Sequence, residues 1–116
     1  MPEPAGLYGP HPLRQDTIKE LLILASPGTY VLGDTDAEGF HPRSVGRSDS
    51  DIAARIHEFV GFYSEFKFAY YDSARAAFER ECQLYHEFAA SLDSGLHPSR
   101  QAHSDWRCPY CGVFDY

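Results

Sequence analysis

The sequence predicts a small α/β (α+β) domain: a three-stranded, mainly antiparallel sheet flanked by helices, with a metal-bound C-terminal segment. Three observations predict it. Short β-branched and aromatic runs at 29–32 and 66–71 alternate along the chain with stretches whose apolar residues recur at helical spacing. At 116 residues and 43% hydrophobic, the chain can bury one core and is too short for two ordinary domains. Near the C-terminus, Cys108-Pro109-Tyr110-Cys111-Gly112 has the short thiol spacing and following glycine of a zinc knuckle.

Residues 1–15 carry Pro2, Pro4, Gly6, Gly9, Pro10 and Pro12, which interrupt helix and ladder hydrogen bonding, and read as an extended N-terminal arm. The globular part is expected over 16–93. Asp16 can cap a first helix in which Ile18, Leu21, Leu22 and Ala25 share a face and which Pro27-Gly28 ends. Thr29-Tyr30-Val31-Leu32 is the first strand, and a shorter one near Arg43-Ser44-Val45 completes a hairpin with a long loop. Asp49 or Ser50 then caps a helix through Ile52, Ile56, Phe59 and Val60, with Gly61 as its stop. The third strand, 66–71, places Phe66, Phe68 and Tyr70 on one face. Asp72-Ser73 opens the longest helix, free of Gly and Pro to about 92, with Ala77, Phe78, Glu81, Leu84, Tyr85 and Phe88 on a common face.

Composition restricts the function classes. The longest apolar run, Leu21-Leu22-Ile23-Leu24-Ala25, falls far below the ~20 residues of a bilayer span, so no membrane role is expected. Three cysteines do not make a secreted disulfide framework, which favours a reducing, cytoplasmic setting. Seventeen acidic against ten basic side chains give a net charge of -7, so any affinity for nucleic acid is expected to be weak. Arg43, Arg47 and Arg55 are the residues from which a local basic surface can be built.

Several motifs come in a telling order: Gly28-Thr29-Tyr30, then Ser44-Val45-Gly46, then Arg55 on a helix, then Glu81 within Ala-Phe-Glu-Arg-Glu-Cys-Gln-Leu. Over roughly 28–93 this order resembles the GIY-YIG endonuclease family, which includes homing endonucleases and the incising subunit of bacterial excision repair. The resemblance implies phosphodiester hydrolysis by a metal-activated water. Glu81 would hold Mg²⁺ or Mn²⁺, Tyr30 would position or deprotonate the water, Arg55 would stabilise charge on the phosphate, and Arg47 would contact the same phosphate.

Other features depart from that pattern. Ser44 stands where the second signature begins with tyrosine, Arg55 lies one residue late, Phe59 replaces a histidine of some members, and Asp93 or Ser94 occupies the place of an asparagine. Ser44, the missing asparagine and the acidic balance favour a second reading, a catalytically inactive GIY-YIG-like binding or accessory domain, whereas the retained Tyr30, Arg55 and Glu81 favour catalysis and keep the nuclease as the first expectation. Glu81 on an otherwise apolar face needs a partner, and an Arg55–Glu81 ion pair supplies one without any catalysis.

The thiols of Cys108 and Cys111 make half of a tetrahedral zinc site. Cys82 and His86, four apart on the last helix, project from the same side and can complete it as Cys3His. His97 and His103 precede the knuckle and compete, so His97 can replace either helical ligand. A stiff helical pair lowers the entropy cost of closing the site. The zinc would anchor 94–116, a stretch with little apolar periodicity, against the same domain, with Trp106 and Phe114 able to cover it. His11, His41 and His57 read as exposed or loop residues.

Overall fold

A computed structural model describes residues 7–93 and 97–111. Its sheet has four strands, one more than the sequence suggests, in the order β1 (Tyr8–Pro12), β4 (Glu65–Tyr70), β2 (Gly28–Asp36) and β3 (Gly39–Ser48), with every neighbouring pair antiparallel. The additional strand is β1, Tyr8–Pro12, inside the stretch expected to be an extended arm. It lies at the sheet's edge, where the N–H that Pro10 lacks has no partner to miss. Its Tyr8 and His11 rings pack on Phe68 and Phe66 of β4, Glu65–Tyr70.

The hairpin of β2, Gly28–Asp36, and β3, Gly39–Ser48, is longer and tighter than expected. Gly39, at φ +116°, turns the chain back after two residues, and Asp36 Oδ1 accepts from the Glu38 N–H at 2.8 Å. The second strand therefore has ten residues, Pro42 included, at the opposite edge of the sheet.

The helices differ from expectation mainly at their ends. α1, Gln15–Leu21, follows Arg14, which makes no side-chain cap, while Asp16 sits in the first turn and accepts from Thr17 N–H. α2, Ile52–His57, is capped by Asp51, whose carboxylate accepts from Ala54 N–H, and not by Asp49 or Ser50. α3, Ala74–Phe88, is capped by Ser73 as expected and ends in a 3-10 turn, Ala89–Ser91.

Alternation along the strands builds two cores. On one face Tyr30, Leu32, Phe66 and Phe68 pack against Ile18 and Leu22 from α1 and its end, and against Ile52 and Ile56 of α2. On the other, Val31 and Ala69 meet Leu84 of α3. Thr29, fully buried, donates to the Ala77 carbonyl at 2.8 Å and so ties α3 to β2 through a satisfied polar contact. The sheet is thus sandwiched between helices, with β3 at one edge. Among the described residues, no helix is long and apolar enough to cross a membrane.

Candidate metal centre and adjoining cleft

His86 in the last turn of α3, His97, Cys108 and Cys111 bring one ligand atom each to a common point, all four within 4.8 Å of one another. Cys108 Sγ lies 3.3 Å from His86 Nε2, and Cys111 Sγ 3.4 Å from His97 Nε2. Bond lengths of roughly 2.3 Å to sulfur and 2.0–2.1 Å to nitrogen put neighbouring donors of a tetrahedral site about 3.3–3.8 Å apart, so these separations fit. Two thiols and two imidazoles form a soft donor set able to bind a metal. Tyr85 stacks edge-on against both imidazoles, at 5.2 Å each, which fixes the rings.

The cluster differs from the expected Cys3His in one ligand: His97 takes the place given to Cys82. A step of four residues turns a helix by about 40° beyond a full turn. That rotation leaves His86 exposed at the rim and sends Cys82 into the interior, wholly buried with Phe78 and Cys108. Burial raises the Cys82 thiol well above its ordinary value, with Cys108 adding to the effect. His103, the other competitor, is an exposed turn residue at φ 64° outside the cluster. Trp106 packs against the buried cluster of Phe78, Cys82 and the ligand Cys108, its ring centroid 5.4 Å from that of Phe78. Gly112 and Phe114 lie outside the described residues.

A cleft of about 420 Å³ opens along the β3 edge, lined among others by Tyr30, Ser44, Arg47, Arg55 and Glu81. All five residues singled out from the sequence meet there. Tyr30 arrives from the α2 side because it pairs with Gly46, where a β-carbon would fall 2.3 Å from its hydroxyl oxygen; the glycine lets the phenol lie across β3. Arg47 pairs with Thr29 and shares its face, toward α3 and Glu81. Ser44 lies opposite Leu32 in the same ladder.

The cleft's charges satisfy one another. Arg47 Nη1 donates to Glu81 Oε1 at 2.8 Å and its Nε to Asp49 Oδ1 at 2.8 Å. Arg55 binds Glu58 at 2.9 Å one turn along the chain. Burial pushes the Glu81 carboxyl up to about 7, the nearby Arg47 only partly offsetting it. Burial likewise drives Tyr30 up to about 12, against the pull of Arg55. The partner of Glu81 is therefore Arg47 and not the expected Arg55.

No protein-family model, no curated protein and no solved structure matches the chain. The family resemblance stays with the motifs that suggested it.

The expectation of a Mg²⁺- or Mn²⁺-dependent nuclease is corrected by where the ligands gather. Among the described residues the one group of metal-ligating side chains is His86, His97, Cys108 and Cys111, soft donors suited to a closed zinc site rather than to a hard cation that keeps its waters. Glu81, the intended cation ligand, is instead held by a guanidinium. The descriptions hydrolase, nuclease and DNA-binding fall with that reading.

Sequence reasoning missed the part that the C-terminal segment plays at the cleft. Ser99 lines it, Gln101 Nε2 donates to Asp49 Oδ2 at 3.4 Å, and the Trp106 ring lies 5.8 Å from the Arg47 guanidinium carbon. The sole tryptophan in a polar stretch was the available signal, since such a ring needs a surface to cover.

Proposed function

We propose that the chain is a non-catalytic binding or accessory domain, GIY-YIG-like in build, whose C-terminal segment is fastened by a structural zinc on His86, His97, Cys108 and Cys111. The observation that carries the reading is the division of labour between two neighbouring sites. Four soft ligand atoms lie within 4.8 Å of one another, whereas the carboxylates of the adjoining cleft are engaged by Arg47 at 2.8 Å. A structural zinc site uses four protein ligands and leaves no position for a reacting water. The metal would substitute for a core that the segment cannot build, since Pro98 and Cys108 are the buried residues of 97–111.

The GIY-YIG-like description rests on the ordered motifs and on the antiparallel pairing of the two signature strands. A nucleic-acid partner fits poorly with a net charge of -7 and with arginines already paired to acids.

Two titrations of the purified full chain test this reading. Zn²⁺ should load at a single equivalent and raise thermal stability, while Mn²⁺ should leave the resonances of Tyr30 and Glu81 unbroadened. Selective Mn²⁺ broadening in the cleft, or no uptake of zinc, would overturn it.

A further inference from the structure

His97 and Cys108 both belong to the ligand cluster, so a metal there closes the ten residues between them, 98–107, into a loop. The loop turns tightly on itself: Arg100 Nη1 donates to the Ser104 carbonyl at 2.7 Å, and Ser104 Oγ to the Gln101 carbonyl at 2.6 Å. Its outer reach then touches the cleft at three places. Ser99 forms part of the wall, Gln101 holds the far oxygen of Asp49, and Trp106 stacks beside the Arg47 guanidinium.

Arg47 is the point where these contacts meet. Its guanidinium is fixed by Asp49 and Glu81 through hydrogen bonds and packs against two rings, Phe78 at 5.1 Å and Trp106 at 5.8 Å. Phe78 and Glu81 belong to α3, a rigid element, but Trp106 and the partner that steadies Asp49 belong to the loop. With the metal bound, little freedom remains for 98–107 to lose. Without it, side-chain contacts, among them Gln101 to Asp49 and Trp106 to Arg47 and Phe78, must hold the loop against the conformational entropy that the metal would otherwise remove.

We propose that the metal-closed loop, which gives Ser99 to the wall of the Tyr30 cleft, docks or undocks with the metal, so that metal occupancy controls the placement of Arg47 and hence what the cleft can bind. The inference rests on the metal reading above and adds regulation to it. Coupling between sites is reciprocal, so disturbing the Trp106–Arg47 contact must weaken metal binding as well.

Side-chain NMR of the full chain tests it. The Arg47 Nε–H signal reports the cleft, and the indole N–H of Trp106, the chain's one tryptophan, reports the loop. In zinc-loaded protein both signals should shift on chelation and return when zinc is restored, while the backbone amides of Val31 and Leu32 stay in place. Trp106→Leu should keep a single equivalent of zinc, move the Arg47 signal toward its chelated position, and weaken zinc binding by about fivefold or more. Should chelation unfold the whole chain, the zinc-loaded Trp106→Leu protein still decides the matter through the same signal. Zinc that binds and leaves with Arg47 unmoved, or an unmoved Arg47 in Trp106→Leu, would overturn the coupling alone. A chain that never takes up zinc would overturn the coupling and the metal reading together.

Discussion

The sheet-and-helix body over 7–93 and the segment over 97–111 reach definite structures by different physics. In the body, Ile18, Leu32, Ile52, Ile56, Phe66 and Phe78 are completely shielded from water, and they come from every layer of the sandwich. In the C-terminal segment nearly everything faces solvent or half-faces it, apart from Pro98 and Cys108. Burial of apolar surface orders the first region, in proportion to area and without regard to direction. The second has too little such surface, and the reading proposed above gives its order to a few directional bonds from His97, Cys108 and Cys111 to a shared metal. Where two such regions meet, as Trp106 meets Arg47, the weaker one can be switched without dismantling the stronger.

The sharpest way to break that contrast is to damage the body while leaving the ligands alone. Phe66 is a fully buried member of the larger core, its ring 5.7 Å from that of His11 and 6.0 Å from that of Phe68. Phe66→Ala should cost about 3–5 kcal/mol, measured by denaturant unfolding, and the loss should be the same in the presence and absence of a chelator. A loss that depended on the metal would mean that the two regions are not held separately.

A smaller effect is expected where the regions touch. Glu81 has a folded pKa raised to about 7 from an ordinary 4.5, because burial penalises its charge more than Arg47 rewards it. The folded chain thus holds a proton that the unfolded chain releases. Its contribution to stability is fully present below about 4.5 and is lost as pH rises through about 7. Glu81→Gln, which cannot ionise, should remove that decline. Relative to wild type, the variant should gain on the order of 2 kcal/mol between pH 5 and 8. Thermal melts of both proteins across that range check the sign, and a constant difference would show that Glu81 is ionised in the fold throughout.

Much of the body was legible because its elements obey simple periods. The alternation of Phe66, Phe68 and Tyr70 survives in the structure, where the first two lie in the core and Tyr70 packs beside them, and Ser73 caps α3 as its position suggests. β1 was not legible, since a proline-rich segment carries no alternating apolar signal and owes its strand conformation to the exposed edge of β4. Glu81's need for a partner was readable from its apolar helix face, but the choice of Arg47 over Arg55 was not. That choice follows from the ladder register, in which Arg47 stands opposite Thr29 and so faces α3.

At the metal centre, Cys108, Cys111 and His86 followed from spacing, while the fourth ligand depended on a rotation. Cys82 and His86 lie on one side of a helix seen alone. Packed on the sheet, that side divides into an interior part holding Cys82 and a rim holding His86. His97 can reach the rim because it approaches from an irregular segment unconstrained by helical phase. The stiffness that favoured the helical pair is real, but it fixed the thiol in the core rather than in the ligand cluster.

The identity of that fourth ligand is the central claim, and cobalt substitution tests it most directly. Co²⁺ absorption reports both stoichiometry and the number of sulfur ligands in a tetrahedral site. Wild-type protein should bind a single equivalent with the charge-transfer intensity of two thiolates, Cys82→Ala should give the same spectrum, and His97→Ala should lose the tetrahedral signature or bind far more weakly. A three-thiolate spectrum in wild type that disappears in Cys82→Ala and persists in His97→Ala would contradict the His86, His97, Cys108 and Cys111 site.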